Sequence, residues 1–77
     1  MIVTIVSPEK EIFKGEVLSI QLPGKQGRFE VLENHAPLIS TLVEGKIICT
    51  GNAPLDIDIK GGFVEINNNQ VAVCVEH

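Results

Sequence analysis

The residues with the chemistry to act as nucleophiles or metal ligands are Cys49, Cys74, His35 and His77. A catalytic cysteine needs a base close by, usually a histidine, to form its thiolate. A structural zinc site needs several Cys or His ligands at characteristic close spacing. Neither cysteine has a histidine beside it in the sequence, and His77 is the last residue. The spacing therefore predicts two reduced, partly buried thiols, although a fold could still bring His35 close to one of them.

Two further patterns resemble reactive sites. Asp56 and Asp58 are two residues apart, so on a strand they project from one face, as a catalytic carboxylate pair would. Lys60 continues that face, which favours a solvated outer surface. The run GKQG at residues 24–27 places glycines beside a lysine, but it lacks the full spacing of a phosphate-binding loop and no helical pattern follows. We predict no catalytic residue, no metal site and no cofactor.

Composition narrows the class of protein. Ten acidic and six basic side chains give the 77 residues a net charge of −4, which argues against nucleic-acid binding. With three Phe and neither Tyr nor Trp, the chain lacks the stacking side chains typical of sugar-binding and base-binding proteins. There is no signal-like segment and no apolar run of membrane-spanning length. We expect a soluble intracellular domain without a small-molecule substrate.

Alternation of apolar and polar residues is the strongest structural signal. Residues 18–22, 55–60 and 71–76 alternate with period two, as in strands with one face in a core. Residues 2–6 are apolar almost throughout, which favours a strand covered on both sides. Frequent turn residues and short strands predict an all-β fold, a flattened β-sandwich or barrel of about ten mainly antiparallel strands in one domain. The residues predicted to face the core are Leu18, Ile20, Leu22, Ile57, Ile59, Val71, Val73 and Val75.

Turn residues separate these strands. Pro8 should end the first strand, because proline lacks a backbone N–H and restricts the residue before it. Gly15 is expected to interrupt the second strand. Pro23 and Gly24 fit the two central positions of a type II turn, where proline presets the first φ and glycine supplies the positive second one. The three asparagines at residues 67–69 tolerate left-handed angles and predict a later turn.

The run from residue 23 to residue 38 is long for a segment that is neither core nor catalytic, and it ends in a polar elbow. Ala36 should be extended because it precedes Pro37, and Asn34 is suited to bond its own backbone. His35 has two interpretations that remain open: a turn histidine bonded to nearby backbone, or an exposed residue that meets a polar group of a partner. A rigid elbow loses little entropy on binding. The run is therefore interpreted as a presented surface.

An ordered set of short motifs extends through the whole chain. These are Ser7-Pro8, Phe13, Gly15, Gly24, Gly27, the run HAPL at residues 35–38, Gly45, the run GGFVE at residues 61–65 and the run VAV at residues 71–73. Each motif is weak alone, but their order and spacing are specific. In this set the chain resembles the epsilon subunit of F-type ATP synthase, and specifically its amino-terminal β-sandwich.

The resemblance implies a non-catalytic subunit of the central rotor, which binds the gamma subunit and the c-ring and couples proton-driven rotation to ATP synthesis. It implies a peripheral position on the cytoplasmic face of the bacterial inner membrane, with membrane association only through the complex. The residues matching the part that faces the c-ring, here called the turn segment, are Gly24, Lys25, Gln26, Gly27, Arg28, Phe29, Glu30 and Val31. Those matching part of the surface turned toward gamma, here called the elbow segment, are His35, Ala36, Pro37, Leu38, Ile39 and Ser40.

The chain also departs from the family pattern. Glu30 stands where glycine is usual, Glu33 where proline is frequent, and Arg28 where many members have an acidic or amide side chain. The usual member continues into a helical hairpin, whereas this sequence ends at His77. From this we expect a subunit that couples rotation without inhibiting ATP hydrolysis and that lacks the nucleotide site some relatives build with the hairpin. The alternative function is a stand-alone β-sandwich binding module.

Overall fold

The computed structural model describes residues 1–52 and 54–77. In this part of the chain there are nine strands, so the all-β class is confirmed with a count close to the expected one. The strands are β1 (Ile2–Val6), β2 (Glu11–Glu16), β3 (Ser19–Gly24), β4 (Gly27–Leu32), β5 (Leu38–Leu42), β6 (Gly45–Thr50), β7 (Leu55–Ile59), β8 (Gly61–Asn67) and β9 (Gln70–Glu76). Among the described residues, no helix is long and apolar enough to cross a membrane.

The strands form one curled sheet that folds into two facing groups. The order is β2-β1-β9-β8-β5-β3-β6-β7, and β4 pairs with the other edge of β3. A single residue pair, Gly24 with Leu42, connects β3 to β5, so β2-β1-β9-β8-β5 and β4-β3-β6-β7 behave as the two layers of a sandwich. The β1–β9 pair is parallel and the other pairs are antiparallel. The prediction of a flattened, mainly antiparallel sandwich is confirmed.

The core lies between the two groups and is supplied by the inner face of each. Alternate side chains of β9 and β8 enter it from one group, and those of β3 and β6 enter it from the other. Burial of this kind contributes about 25 cal/mol per Å² of apolar surface, so these faces hold the sandwich together. Six of the predicted core residues are buried, which confirms them: Ile20, Leu22, Ile59, Val71, Val73 and Val75.

Two of the predicted core residues differ from expectation. Ile57 is half-buried and packs against the edge of the core. Leu18 is 66% exposed, so its assignment to the core is wrong. The chain bends between β2 and β3, where the Leu18 N–H donates to the Thr50 carbonyl at 2.7 Å and Val17 occupies the inward position at 1% exposure. The alternation that begins at Ile20 therefore does not extend back through the bend.

Residues 2–6 form β1, which lies between β2 and β9 in the interior of its group. Val3 and Ile5 are fully buried, whereas Ile2, Thr4 and Val6 are half-buried. The inner face is thus covered completely and the outer face in part, which is why the run is apolar almost throughout.

Two of the predicted strand boundaries are wrong. Gly15 lies inside β2, paired with Val3, and does not interrupt the strand. Pro23 and Gly24 are the last two residues of β3 rather than the centre of a turn, which falls instead at residues 25–26. Pro23 is tolerated in β3 because it faces the edge where the neighbouring strand changes from β6 to β5, so no regular strand pair needs its missing N–H. On that edge the Pro23 carbonyl accepts from the Val43 N–H at 2.8 Å.

Two other boundaries are confirmed. β1 ends at Val6, two residues before Pro8. Between β8 and β9, Asn68 and Asn69 have φ angles of 52° and 60°, as the two central residues of a type I′ hairpin turn require. Asparagine tolerates these angles better than most residues, so the residue types alone were enough to predict this turn.

Candidate partner interface

The turn segment is the β3–β4 hairpin with its two-residue tip. Lys25 and Gln26 are exposed at the tip, and the Lys25 N–H donates to the Thr41 carbonyl at 3.0 Å. A Cβ on Gly24 would come within 2.7 Å of the Gly27 carbonyl oxygen and 2.9 Å of the Phe29 ring. The hairpin therefore closes as tightly as it does because position 24 has no side chain.

The β4 side of the turn segment alternates between surface and core. Arg28 and Glu30 are exposed on the outer face, and Arg28 Nη1 donates to the Lys46 carbonyl at 2.7 Å. Phe29 is half-buried against the core. Val31 is fully buried, so its side chain belongs to the core and offers nothing to a partner. Strand alternation explains this result, because residues 29 and 31 share the inner face.

The elbow segment begins after a turn at Glu33 and Asn34. His35 is half-buried, and its Nδ1 lies 2.7 Å from the Ala36 carbonyl oxygen, to which a protonated Nδ1 donates. This is the backbone-bonded turn histidine of the first interpretation. The two interpretations are compatible, since the ring remains partly exposed and its Nε2 makes no hydrogen bond to any of the described residues.

The remainder of the elbow segment presents an apolar surface. Ala36 and Pro37 are exposed, and Ile39 is 72% exposed, the largest value among the exposed large apolar side chains described. Leu38 and Ser40 are half-buried on the inner face of β5. The alternation along β5 thus directs Ile39 outward and places Leu38 and Ser40 on the inner face.

Parts of the two segments line one groove, although the segments were predicted to be separate surfaces. The groove has a volume of about 530 Å³ and runs between residues 24–29 of the hairpin and residues 38–41 of β5. Thr41 belongs to this lining and was missed. Its link to the hairpin is a backbone hydrogen bond to Lys25, so no side-chain pattern in the sequence could have revealed it.

The turn before the elbow is held by residues distant in sequence. Asn34 has a φ of 61°, and its N–H donates to Asn69 Oδ1 at 2.8 Å. The expectation that the Asn34 side chain bonds its own backbone is therefore wrong. Asn69 Nδ2 also donates to Glu33 Oε2 at 2.8 Å. Hydrogen bonds from the Met1 ammonium group and from Asn69 hold the pKa of the Glu33 carboxyl below its ordinary value.

The residues first considered for chemistry are scattered over the sandwich. Cys49 is 2% exposed in the core, and burial raises the pKa of its thiol to about 11. Both cysteines are free. Asp56 and Asp58 are exposed and each lies 3.3 Å from Lys46 Nζ, which fits the solvated outer face. Within residues 1–52 and 54–77, no group of three or more His, Cys, Asp or Glu side chains is arranged to hold a metal ion.

Comparison with known proteins supplies the family. Residues 1–77 match the family described as ATP synthase, Delta/Epsilon chain, beta-sandwich domain. The ATP synthase epsilon chain of Leptospira borgpetersenii serovar Hardjo-bovis (strain JB197) is 43% identical over 76 residues, which cover 97% of this chain and 60% of the relative. The ATP synthase epsilon chain of Caulobacter vibrioides (strain ATCC 19089) is 43% identical over 75 residues, covering 96% of this chain and 87% of the relative.

Solved structures agree on the fold. A chain in the cryo-EM structure of the Euglena gracilis mitochondrial ATP synthase (OSCP/F1/c-ring, rotational state 1) superimposes with a TM-score of 0.91 at 23% identity, over 100% of this chain and 51% of that one. A chain of the Tetrahymena thermophila mitochondrial ATP synthase central stalk and c-ring gives a TM-score of 0.87 at 17% identity, over 99% and 63%. At these identities the likeness establishes the β-sandwich alone. With the family match along the whole chain and the bacterial relatives, it follows that this chain belongs to the beta-sandwich domain family of the ATP synthase delta/epsilon chain.

Proposed function

We propose that this domain is a non-catalytic part of the central rotor of an F-type ATP synthase, joining the gamma subunit to the c-ring so that proton-driven rotation is coupled to ATP synthesis. The family match and the bacterial epsilon chains support the proposal. One observation carries the assignment of the surfaces: residues 24–29 of the turn segment and residues 38–40 of the elbow segment line one groove. A domain that must hold two partners in a fixed relation needs its two contact surfaces on one rigid element.

The turn segment is suited to a polar partner. Lys25 and Arg28 are both exposed there, although the whole chain carries a net charge of −4. Arg28 uses Nη1 on the Lys46 carbonyl, and a guanidinium has five N–H donors, so several remain for a carboxylate, amide or carbonyl of the ring. Such a charge at the edge of an interface acts mainly on encounter and register. The c-ring contact is therefore proposed to be polar and sensitive to salt.

The elbow segment is suited to an apolar partner surface. Ile39, Ala36 and Pro37 are exposed together, and Pro37 restricts both itself and the residue before it. Because the segment is already restrained, little conformational entropy is lost when it binds. The gamma contact is therefore proposed to be an apolar surface with His35 as a polar residue at its edge.

On this proposal the domain acts by binding alone, with no cofactor, substrate or nucleic acid. It would lie at the cytoplasmic face of the bacterial inner membrane, held there by the complex. Coupling then depends on the stiffness of the sandwich between its two contact surfaces, and the buried core provides that stiffness.

The gamma contact is tested by Ile39→Asp, with Leu18→Asp as the matched control. Both positions carry a large apolar side chain of similar exposure, 72% for Ile39 and 66% for Leu18. Leu18 lies outside both segments. Binding of purified gamma to each variant is measured by calorimetry, and Ile39→Asp should weaken it roughly tenfold or more, as loss of an interface anchor does. Equal affinity of the two variants would overturn the assignment of the elbow segment to gamma.

The c-ring contact is tested by Arg28→Glu, with Lys14→Glu on the edge strand β2 as the control of equal charge change. Recovery of each variant with a gamma and c-ring assembly is compared at low and high salt. Arg28→Glu should bind roughly three to ten times more weakly at low salt, with a smaller difference at high salt. Equal recovery of the two variants at low salt would remove Arg28 from the interface.

A further inference from the structure

Two turns that are far apart in the sequence meet at one end of the sandwich. The type I′ turn between β8 and β9 contains Asn69, and the turn between β4 and β5 contains Glu33 and Asn34. Asn69 is 35 residues from Asn34 and 36 residues from Glu33. Its side-chain amide uses both of its ends, accepting from the Asn34 N–H and donating to Glu33 Oε2, each at 2.8 Å. Both distances are those of well-formed hydrogen bonds.

Asn69 is also connected through its backbone. Its carbonyl oxygen accepts from the Ile2 N–H at 3.3 Å, and the residue is half-buried. Its own φ of 60° is set by the hairpin turn. The amide is therefore presented from a position that is fixed by the β8–β9 hairpin and by the start of β1, rather than from a free side chain.

The residue that Asn69 restrains has an uncommon conformation. Asn34 has a φ of 61°, in the left-handed region that few residues other than glycine adopt readily. Its side chain makes no hydrogen bond to the described residues, so the Asn34 N–H is the point at which this conformation is tied down. The φ of residue 34 sets the direction in which His35, Ala36 and Pro37 leave the sandwich.

We propose that Asn69 is a positioning residue for the elbow segment: by bonding Asn34 and Glu33 it holds the gamma-facing surface in its binding conformation without touching the partner. This inference rests on the proposed function of that segment. Loss of the restraint leaves the elbow less ordered in the free protein, and binding must then order it. The affinity for gamma falls for that reason, while the sandwich itself remains folded.

The test compares Asn69→Gly with Asn68→Gly. Both residues have positive φ, so glycine suits either position, and within the described part of the chain the Asn68 side chain makes no hydrogen bond. Asn69→Gly should raise the hydrogen-exchange rate of the Asn34 amide roughly three- to tenfold, the loss expected for one such bond, and lower the affinity for gamma by a similar factor. Asn68→Gly should change neither, and both variants should keep the circular dichroism of the parent.

A donor–acceptor exchange provides the rescue. Asn69→Asp alone retains an acceptor for the Asn34 N–H but sets a second carboxylate against Glu33. Adding Glu33→Gln supplies an amide donor in place of that carboxylate, so the bond between residues 33 and 69 is restored with its direction reversed and the bond from the Asn34 N–H is kept. The double variant should therefore recover slow exchange at Asn34 and most of the gamma affinity that Asn69→Asp loses. If Asn69→Asp acted only on folding of the sandwich, the double variant and Asn69→Asp would bind gamma with the same affinity.

The outcomes separate this inference from the function on which it rests. Unchanged exchange at Asn34 in Asn69→Gly would overturn the positioning role, whatever the binding result. Faster exchange with unchanged gamma affinity would also overturn it, provided that Ile39→Asp still weakens binding. If neither Ile39→Asp nor Asn69→Gly affects binding, the proposed gamma surface itself is wrong.

Discussion

The β3–β4 turn inside the turn segment and the turn just before the elbow segment are held by different interactions. The β3–β4 turn is closed by the absence of a side chain at Gly24 and by backbone hydrogen bonds from Lys25 and Val43 to neighbouring strands. The turn before the elbow depends on the side chain of Asn69, which is 35 residues away from Asn34. The first therefore tolerates changes in side chains other than at its glycines, whereas the second is sensitive to a residue that no local pattern connects to it.

This difference bears on how the proposed surfaces evolve. The exposed residues of the turn segment, Lys25, Gln26 and Arg28, are not needed to close the hairpin, so they are free to match a partner's charge. Arg28 and Glu30, two of the expected departures from the family pattern, fall on this exposed face. At the elbow, Glu33 bonds Asn69, so a change there alters the conformation as well as the surface.

The largest expected effect comes from removing support common to both segments. Ile20 is fully buried and pairs across the hairpin with Val31. Ile20→Ala should lower the free energy of unfolding by about 2–4 kcal/mol, through lost burial and the cavity left behind. Leu18→Ala, at a leucine that is 66% exposed, should cost less than about 0.5 kcal/mol. Urea denaturation measures both, and similar losses would contradict the burial pattern.

Adding one methyl group at the hairpin should have the next largest effect. In Gly24→Ala the new Cβ meets the Gly27 carbonyl and the Phe29 ring, and such overpacking costs about 1–3 kcal/mol. Gly27→Ala is the comparison, because a Cβ there meets nothing within 4 Å and the strain comes only from its φ of 128°. Gly24→Ala should shift the NMR resonances of the Phe29 ring, and Gly27→Ala should not. A Phe29 ring undisturbed by Gly24→Ala would contradict the close approach.

The elbow turn should respond to acid. Because the pKa of Glu33 is lowered in the folded state from 4.5, its contribution to stability is fully present above about pH 4.5 and is lost as the pH falls through the lower folded value. The melting temperature of the parent should therefore approach that of Glu33→Gln as the pH falls below about 4.5. Salt should reduce the difference at neutral pH, since the Glu33 side chain is 47% exposed. A difference that is independent of pH would contradict an ionised Glu33 in this role.

The smallest effect is expected at Asn34. Asn34→Gly keeps the N–H that bonds Asn69 and relieves the left-handed φ of 61°, so stability should change by less than about 0.5 kcal/mol. This near neutrality contrasts with the effect of altering Gly24. Thermal unfolding measures it, and a large loss would mean that the Asn34 side chain holds the elbow after all.

The sequence anticipated those parts of the site that depend on neighbouring residues. Lys25, Gln26 and Arg28 are exposed, which agrees with the interpretation of this run as a presented surface, and His35 Nδ1 makes the backbone contact of its first interpretation. Val31, which was assigned to the c-ring-facing segment, is fully buried, because its place two residues from Phe29 on the same strand puts it on the inner face. Asn69, Glu33 and Thr41 were missed, since their roles arise from contacts between strands distant in the chain.

Period-two alternation, turn chemistry and motif order were enough to establish an all-β sandwich, the inward faces of β7 and β9, the asparagine turn and the family. These signals are local, because a strand exposes its alternate residues to opposite faces whatever it pairs with. The bend that turned Leu18 outward, the placement of Pro23 inside β3, the shared groove and the bonds of Asn69 were decided by the tertiary structure. Each depends on which strand lies alongside, and strand pairing between distant residues leaves no period in the sequence to read.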